Sequence, residues 1–282
     1  MFKLPERNQN SNKGTFGKIL NIAGSNNYIG AAYLSSLGAL KIGAGYVALV
    51  SDTNVINAVS SKLPEIVFFD WSEGRKQTGN FDVIIIGCGM GTGFNAQRHF
   101  KQLINDIQKK PTTTLIDADG LNIMAKLYNK RDLGILNFSE NSCKNLIITP
   151  HPAEAGRLLG ISTEEVLSNL NKAAEALCNR YNCTTVLKTH RTIVRSKEGE
   201  LYINEHGNSA LAKAGTGDVL AGIISGLLAQ KMKPFEAAKL GVYLHSIAGE
   251  KASEELTEYS VLASDIPKYL PHAIKSIQNY NN

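Results

Sequence analysis

Val83-Ile84-Ile85-Ile86-Gly87-Cys88-Gly89-Met90-Gly91-Thr92-Gly93 sets four glycines directly behind four consecutive β-branched apolar residues. An unbroken apolar run of this kind reads as a strand covered on both faces, the habit of a parallel sheet. Ligands of such sheets collect outside the carboxyl ends of the strands, and glycine lets backbone come close to them. The alternative is an ordinary flexible turn. A dinucleotide fingerprint G-x-G-x-x-G started at Gly87 or at Gly89 fails, because Thr92 or Phe94 stands where the last glycine is needed. A hydride-transferring dehydrogenase therefore loses its main support.

Outward from this run, similar strands are expected over 18–23, 46–50, 113–117, 146–149 and 185–188. Helices are expected between them over 31–42, 95–108, 120–128 and 164–181. The last of these opens on Ser162-Thr163-Glu164-Glu165, a capping-box spacing, and repeats Val166, Leu170, Ala173 and Leu177 at helical intervals. Segments 192–195 and 201–204 flank Ser196-Lys197-Glu198-Gly199-Glu200 and read as an antiparallel hairpin at a sheet edge. Three more helices follow over 218–230, 234–255 and 265–278, with Pro234 in a first helical position and Ser264 as a cap. The sum is an α/β fold with a mostly parallel central sheet and helices on both faces. One domain over 1–282 is expected, with residues 1–16 as an N-terminal arm.

Thirty Lys and Arg against 25 Asp and Glu leave a net charge of only +5, with no basic run, which disfavours nucleic acid as a partner. No apolar stretch is long enough for a bilayer and no signal core opens the chain, so a cytoplasmic protein without membrane contact is expected. The four cysteines form no C-x-x-C pair, which makes zinc or a disulfide framework poor readings. There is no G-x-x-x-x-G-K-[ST] loop and no G-x-S-x-G elbow.

Phosphate must then be held by backbone at a glycine-rich helix start. The segment that offers one is Gly207-Asn208-Ser209-Ala210-Leu211-Ala212-Lys213-Ala214-Gly215-Thr216-Gly217-Asp218, which runs straight into an apolar helix. Asp218 repels phosphate, so it is either a base for a substrate hydroxyl or a favourable charge on a helix start. Thr149-Pro150-His151-Pro152 clamps a histidine at another strand end, either against substrate or as a structural group. Its H-x-x-E relation to Glu154 is too short to suggest a metal site. Asp117-Ala118-Asp119 suits hydroxyl or hydrated-magnesium contacts, or a helix cap. Lys188 with Thr189, His190, Arg191 and Thr192 offers cations to a phosphate chain, or a solvated hairpin edge. The small residues after Gly30 (Ala31, Ala32, Gly38) suit a helix packed closely on a neighbour or a subunit contact.

Taken in order, Lys13-Gly14-Thr15-Phe16-Gly17, Ala23-Gly24-Ser25, Gly30-Ala31-Ala32, Gly87-Cys88-Gly89, Asp117-Ala118-Asp119, Thr149-Pro150-His151-Pro152 and Asn208 to Asp218 resemble the ADP/ATP-dependent NAD(P)H-hydrate dehydratases. The resemblance spans about residues 13–266 and implies a ribokinase-like fold. It also implies repair of hydrated NADH and NADPH (NADHX and NADPHX), with ADP favoured over ATP as co-substrate and magnesium as the ion. Asp218 would take the ring hydroxyl's proton as that oxygen is phosphorylated, and phosphate would then leave. By matching position, Ala32, Gly89, His151 and Asp218 would contact the dinucleotide. Lys188 to Thr192 and Gly215, Thr216 and Gly217 would hold the adenine nucleotide. Thr189 stands where the family usually has glycine. A homo-oligomer, by resemblance a tetramer, is expected. The rival readings are a ribokinase-like kinase of a vitamin-precursor alcohol and a nucleotide-binding sensor.

Overall fold

The computed structural model describes residues 2–129 and 145–280; Cys143 lies outside them. Nine strands form one sheet: β1 (Lys18–Ile22), β2 (Tyr46–Val50), β3 (Val67–Phe69), β4 (Val83–Ile86), β5 (Thr113–Ile116), β6 (Leu146–Ile148), β7 (Thr184–Leu187), β8 (Ile193–Arg195) and β9 (Leu201–Ile203). Their order is β3-β2-β1-β4-β5-β6-β7-β8-β9. Strands β3 through β7 are parallel and β7-β8-β9 antiparallel, so the expected hairpin does close one edge.

Successive strand residues face opposite layers. Ile19, Val47, Leu49, Val83 and Ile85 enter one core, while Leu20, Ala48, Val50, Ile84 and Ile86 enter the other. The first core is covered by α1 (Ile29–Lys41), α2 (Thr53–Ser60), α9 (Thr216–Ala229), α10 (Pro234–Ser260) and α11 (Ile266–Tyr280). The second is covered by α4 (Phe94–Lys109), α5 (Asp119–Asn129), α6 (Pro152–Leu159), α7 (Thr163–Ser168) and α8 (Leu170–Tyr181). Short α3 (Trp71–Lys76) lies against Val50 on that same side.

The small residues of α1 are used for packing on α9. A Cβ on Gly38 would stand 2.5 Å from the Val219 carbonyl, and one on Gly222 would stand 2.1 Å from the Ser35 carbonyl. This close crossing fixes the start of α9 relative to the glycine turns around it. The arm lies on the body: Phe2 stacks on Tyr243 with ring centroids 4.1 Å apart, and the Arg7 Nη1 donates to the Gly43 carbonyl at 3.1 Å.

Several expectations change in detail. Strand β3 and helices α2, α3 and α6 were not foreseen. The single helix expected over 164–181 is two, because Asn169 leaves helical geometry (φ −153°, ψ 80°) and its side chain accepts from the Lys172 N–H to start α8. Asp265, not Ser264, precedes the last helix; its carboxylate accepts from the Leu262 N–H at 2.9 Å. Pro234 does open α10, and Ser162 with Glu165 forms the expected capping box. Among the described residues, no helix is long and apolar enough to cross a membrane.

Candidate active site

Strand order reverses direction between β1 and β4, which opens a crevice outside their carboxyl ends. The β4 exit is tied to both neighbours: Gly87 N–H donates to Ile22 O at 3.1 Å, and Asp119 N–H donates to Gly87 O at 3.2 Å. Gly87 has φ +119°, and a Cβ there would stand 2.1 Å from the Asp117 carbonyl, so only glycine fits. Beside it Ala118 holds φ +49°, an uncommon conformation for a non-glycine residue and a local strain at a functional turn.

The neighbouring strand ends deliver charge. Asp117, 1% exposed, accepts the Lys188 ammonium at 2.7 Å, and the Lys188 N–H is fixed on the Pro150 carbonyl at 2.8 Å. Burial works against the Lys188 charge, but Asp117 and Glu154 outweigh it and hold the ammonium above its ordinary range. A Cβ on Gly217 would lie 3.4 Å from Lys188 Nζ, so this cation sits at the mouth of α9.

Helix α9 starts from Gly215 at φ +94° with no side-chain cap, which leaves its first amides for an anion. Thr216 N–H is spent on Lys213 O (3.3 Å), and the Thr216 hydroxyl turns inward to Leu211 O (2.8 Å). Val219 N–H reaches Gly215 O at 3.2 Å. The amides that remain for phosphate are those of Gly217 and Asp218. His245 on α10 secures the turn from behind, with Nε2 3.0 Å from the Thr216 carbonyl. Burial pushes this imidazole down to about 4, so it is neutral and Nε2–H donates.

Asp218 itself lies in a cluster with Asp117 and Cys88, their carboxylate and thiol ligand atoms all within 4.8 Å of one another. Burial, followed by the Asp117 charge, pushes Asp218 up to about 6, while Cys88 and Lys188 pull it back. A carboxylate tuned to that range suits proton transfer near neutral pH. Glu154, buried and facing Lys188, is pushed up to about 7 by burial.

The other expected residues separate into two groups. Lys188, Thr189, His190, Thr192, Thr216 and Gly217 line one cavity of about 750 Å³ beside the α9 start, large enough for a nucleotide. Arg191 is exposed outside it and Gly215 packs against Leu34 and Ala263, so neither lines that cavity. His151 borders the cavity and at the same time caps α6: Nδ1 accepts from Ala153 N–H at 3.2 Å, and Glu154 accepts from His151 N–H at 2.9 Å. Burial, then Lys188, holds its ring below the ordinary imidazole range. Ala32 and Gly89 lie on the other side of the crevice. Ala32 is fully buried beneath Gly24, and Gly89 touches Tyr28 and Ala31. Asp119 accepts from Gly91 N–H at 2.9 Å and so holds the glycine loop. Sequence reasoning did not foresee Cys88, Glu154 or His245 as parts of the site; only the strand-end position of Cys88 was a signal.

A family profile described as NAD(P)H-hydrate dehydratase matches residues 19–272. The ADP-dependent (S)-NAD(P)H-hydrate dehydratase of Neisseria meningitidis serogroup B is 39% identical over 249 residues, covering 88% of this chain and 81% of that protein. A bifunctional NAD(P)H-hydrate repair enzyme of Moorella thermoacetica is 31% identical over 98% of this chain, which spans only 52% of that longer protein. The ADP/ATP-dependent NAD(P)H-hydrate dehydratase of Bacillus subtilis, co-crystallised with ATP and Mg²⁺, superposes with a TM-score of 0.84 at 30% identity. It covers 97% of this chain, which in turn covers 94% of it.

Proposed function

The chain belongs to the NAD(P)H-hydrate dehydratase family, and on that premise we propose that Asp218 is the base of its reaction. The protein is an ADP-dependent (S)-NAD(P)H-hydrate dehydratase, a carbon–oxygen lyase of ribokinase-like fold. Hydroxide is a poor leaving group, so the hydroxyl on carbon 6 of the hydrated ring is first made into a phosphate ester. Asp218 takes the hydroxyl proton while the oxygen attacks the terminal phosphorus of ADP and AMP leaves. The ring nitrogen's electron pair then expels phosphate, and loss of a proton from carbon 5 restores the double bond.

The chain's own groups fit each need. Free amides at Gly217 and Asp218, with the Lys188 ammonium beside them, face charge that develops on the transferred group. Lys188 is itself held by Asp117, which keeps the cation in place without a mobile counter-ion. The donor set around Asp218 contains a thiol and an ammonium-paired carboxylate, so it is not a cage of hard oxygens. A magnesium ion would therefore be held here chiefly by the nucleotide phosphates and water, and would supply charge neutralisation. Gly89 stands on the dinucleotide side, where the fully buried Ala32 supports the turn from beneath Gly24, and the 750 Å³ cavity takes the adenine nucleotide. The expected homo-oligomer would cover the exposed Tyr28, Phe94, Tyr259 and Leu262 side chains.

The observation that carries this reading is the Asp218 carboxylate standing at an uncapped helix start, beside the half-buried, Asp117-paired Lys188. Purified protein given hydrated NADPH, ADP and magnesium should restore the reduced-nicotinamide absorbance and release AMP and phosphate. In Asp218→Asn, kcat should fall about 10³-fold with nucleotide binding retained. Near-normal turnover in that variant removes Asp218 from the mechanism, and accumulation of a phosphorylated alcohol would make the protein a kinase.

A further inference from the structure

Cys88 is a buried free thiol that the reaction above does not use. Its backbone has no freedom to drift. Gly87 (φ +119°) and Gly89 (φ +63°) flank it, and its carbonyl accepts from Gly24 N–H at 2.8 Å. The Gly89 carbonyl accepts from the Ser25 hydroxyl at 2.8 Å. The turn therefore fixes where the side chain stands, and Sγ lies within 4.8 Å of carboxylate oxygens of both Asp117 and Asp218.

The two acids are not equivalent partners. Asp117 is committed to the Lys188 ammonium at 2.7 Å, whereas Asp218 is in no ion pair of that kind among the described residues and has the thiol within 4.8 Å of its carboxylate. Burial, with Asp218 and Asp117 alongside, pushes the thiol well up, so it stays S–H and has a proton to offer a carboxylate. The groups that face Asp218 are Cys88 from the β4 exit, Asp117 and Asp119 from the β5 exit, and Lys188 from the β7 exit. From α10, His245 is neutral and spent on the Thr216 carbonyl. The thiol is thus the uncharged donor in a pocket where burial and two acids press Asp218 towards protonation.

We propose that Cys88 is a positioning residue for the base: its thiol, aimed by the two flanking glycines, orients the Asp218 carboxylate and holds it ready to accept the substrate's hydroxyl proton. This rests on Asp218 being the base. Removing the donor takes away an interaction that favours the charged carboxylate, so the acid limb of the pH–rate profile moves up. A serine hydroxyl in the same place can donate in the thiol's stead.

The test compares kcat/KM against pH, between about pH 5 and pH 9, for the wild type and for Cys88→Ala, Cys88→Val and Cys88→Ser, with thermal melting as the check on folding. Valine keeps the volume if the smaller alanine unfolds the protein. The alanine and valine variants should raise the acid limb by about half a pH unit or more, a loss of about threefold or more on the acid side. Serine should return the limb towards the wild-type position. Superimposed limbs in folded variants overturn the proposal, as does a loss that is uniform with pH or that serine does not rescue. An inactive Asp218→Asn alongside superimposed Cys88 limbs defeats the Cys88 role alone, whereas an active Asp218→Asn defeats the base itself.

Discussion

The turn at Gly87 and the turn at Gly217 look alike in sequence and serve opposite ends. At Gly87 and Gly89 the missing side chains make room for the protein: a Cβ would meet the Asp117 carbonyl at 2.1 Å in one case and the Tyr28 Cβ at 2.6 Å in the other. At Gly217 the nearest atom to a Cβ is the Lys188 ammonium at 3.4 Å, and the φ is not left-handed. That glycine leaves open the space in front of the helix start, where the proposed reaction places phosphate. A glycine-rich motif therefore has no meaning until its neighbours are known: one turn locks strand ends together, the other leaves amides bare.

The harshest way to break this contrast is Gly87→Ala. The new Cβ collides with backbone on the next strand and forces an L-residue to φ +119°, and neither can relax without moving the Asp117 turn. A loss of more than about 3 kcal/mol is expected, read as a lower denaturant midpoint or as insoluble protein. A melting temperature within a few degrees of wild type would show that the β4 exit is not locked as described.

Gly217→Ala should do the reverse. Alanine is at home in a first helical turn, so folding should be unaffected or slightly improved. Its methyl would occupy the approach to the Gly217 and Asp218 amides, so nucleotide affinity should fall by about tenfold in calorimetry. Unchanged affinity would mean that phosphate does not approach the helix start from that side.

These two outcomes also mark how far the residues could be read before folding. Strands β1, β2 and β4 to β7 were legible because doubly covered strands are continuous apolar runs. Strand β3 was not, since Val67–Phe69 is three residues long and only half-buried. Helix α6 was hidden because Pro152 reads as a clamp, yet it occupies a first helical position with His151 as the capping residue. The same local fact gives His151 a structural role beside its place at the cavity. Asp218 and Lys188 announced themselves by standing at element ends. The approach of Cys88 to Asp218 and the contact of His245 with Thr216 could not be seen, because each joins segments whose approach depends on how α9 packs on the sheet and on α10.

Asp218 also sharpens the contrast through stability. Its folded-state carboxyl is raised from 3.8 to about 6, so the folded form binds the proton more tightly than the unfolded chain. Stability from this group is fully present below pH 3.8 and is lost as pH rises through about 6. At pH 7 the ionised carboxylate is a burden on the fold, and Asp218→Asn should stabilise the ligand-free protein by about 1–3 kcal/mol, with the gain fading towards pH 4. Catalysis has the opposite sign, since kcat/KM should fall as pH drops through about 6. Melting curves at several pH values check the first claim and a rate profile the second. A destabilised Asp218→Asn at pH 7 would show that Lys188 and Cys88 outweigh the cost of burial.

The mildest expected effect is at Thr189, where the family resemblance leads one to expect glycine. Its hydroxyl donates to Arg191 O at 2.8 Å and accepts from Arg191 N–H at 3.2 Å. The Thr192 hydroxyl in turn donates to Thr189 O at 3.0 Å. The two side chains close a turn at the lip of the cavity proposed for the nucleotide, doing with hydrogen bonds what a glycine would do with backbone freedom. Thr189→Gly removes the Arg191 contacts and returns entropy to the free chain, at a cost of about 0.5–1 kcal/mol. The nucleotide KM should rise about two- to fivefold with kcat unchanged, because the lip positions ADP but touches no reacting atom. Tighter nucleotide binding in Thr189→Gly would reverse the assignment: the threonine would then be an obstruction at the ligand-facing lip, and the cavity would want glycine there as well as at Gly217.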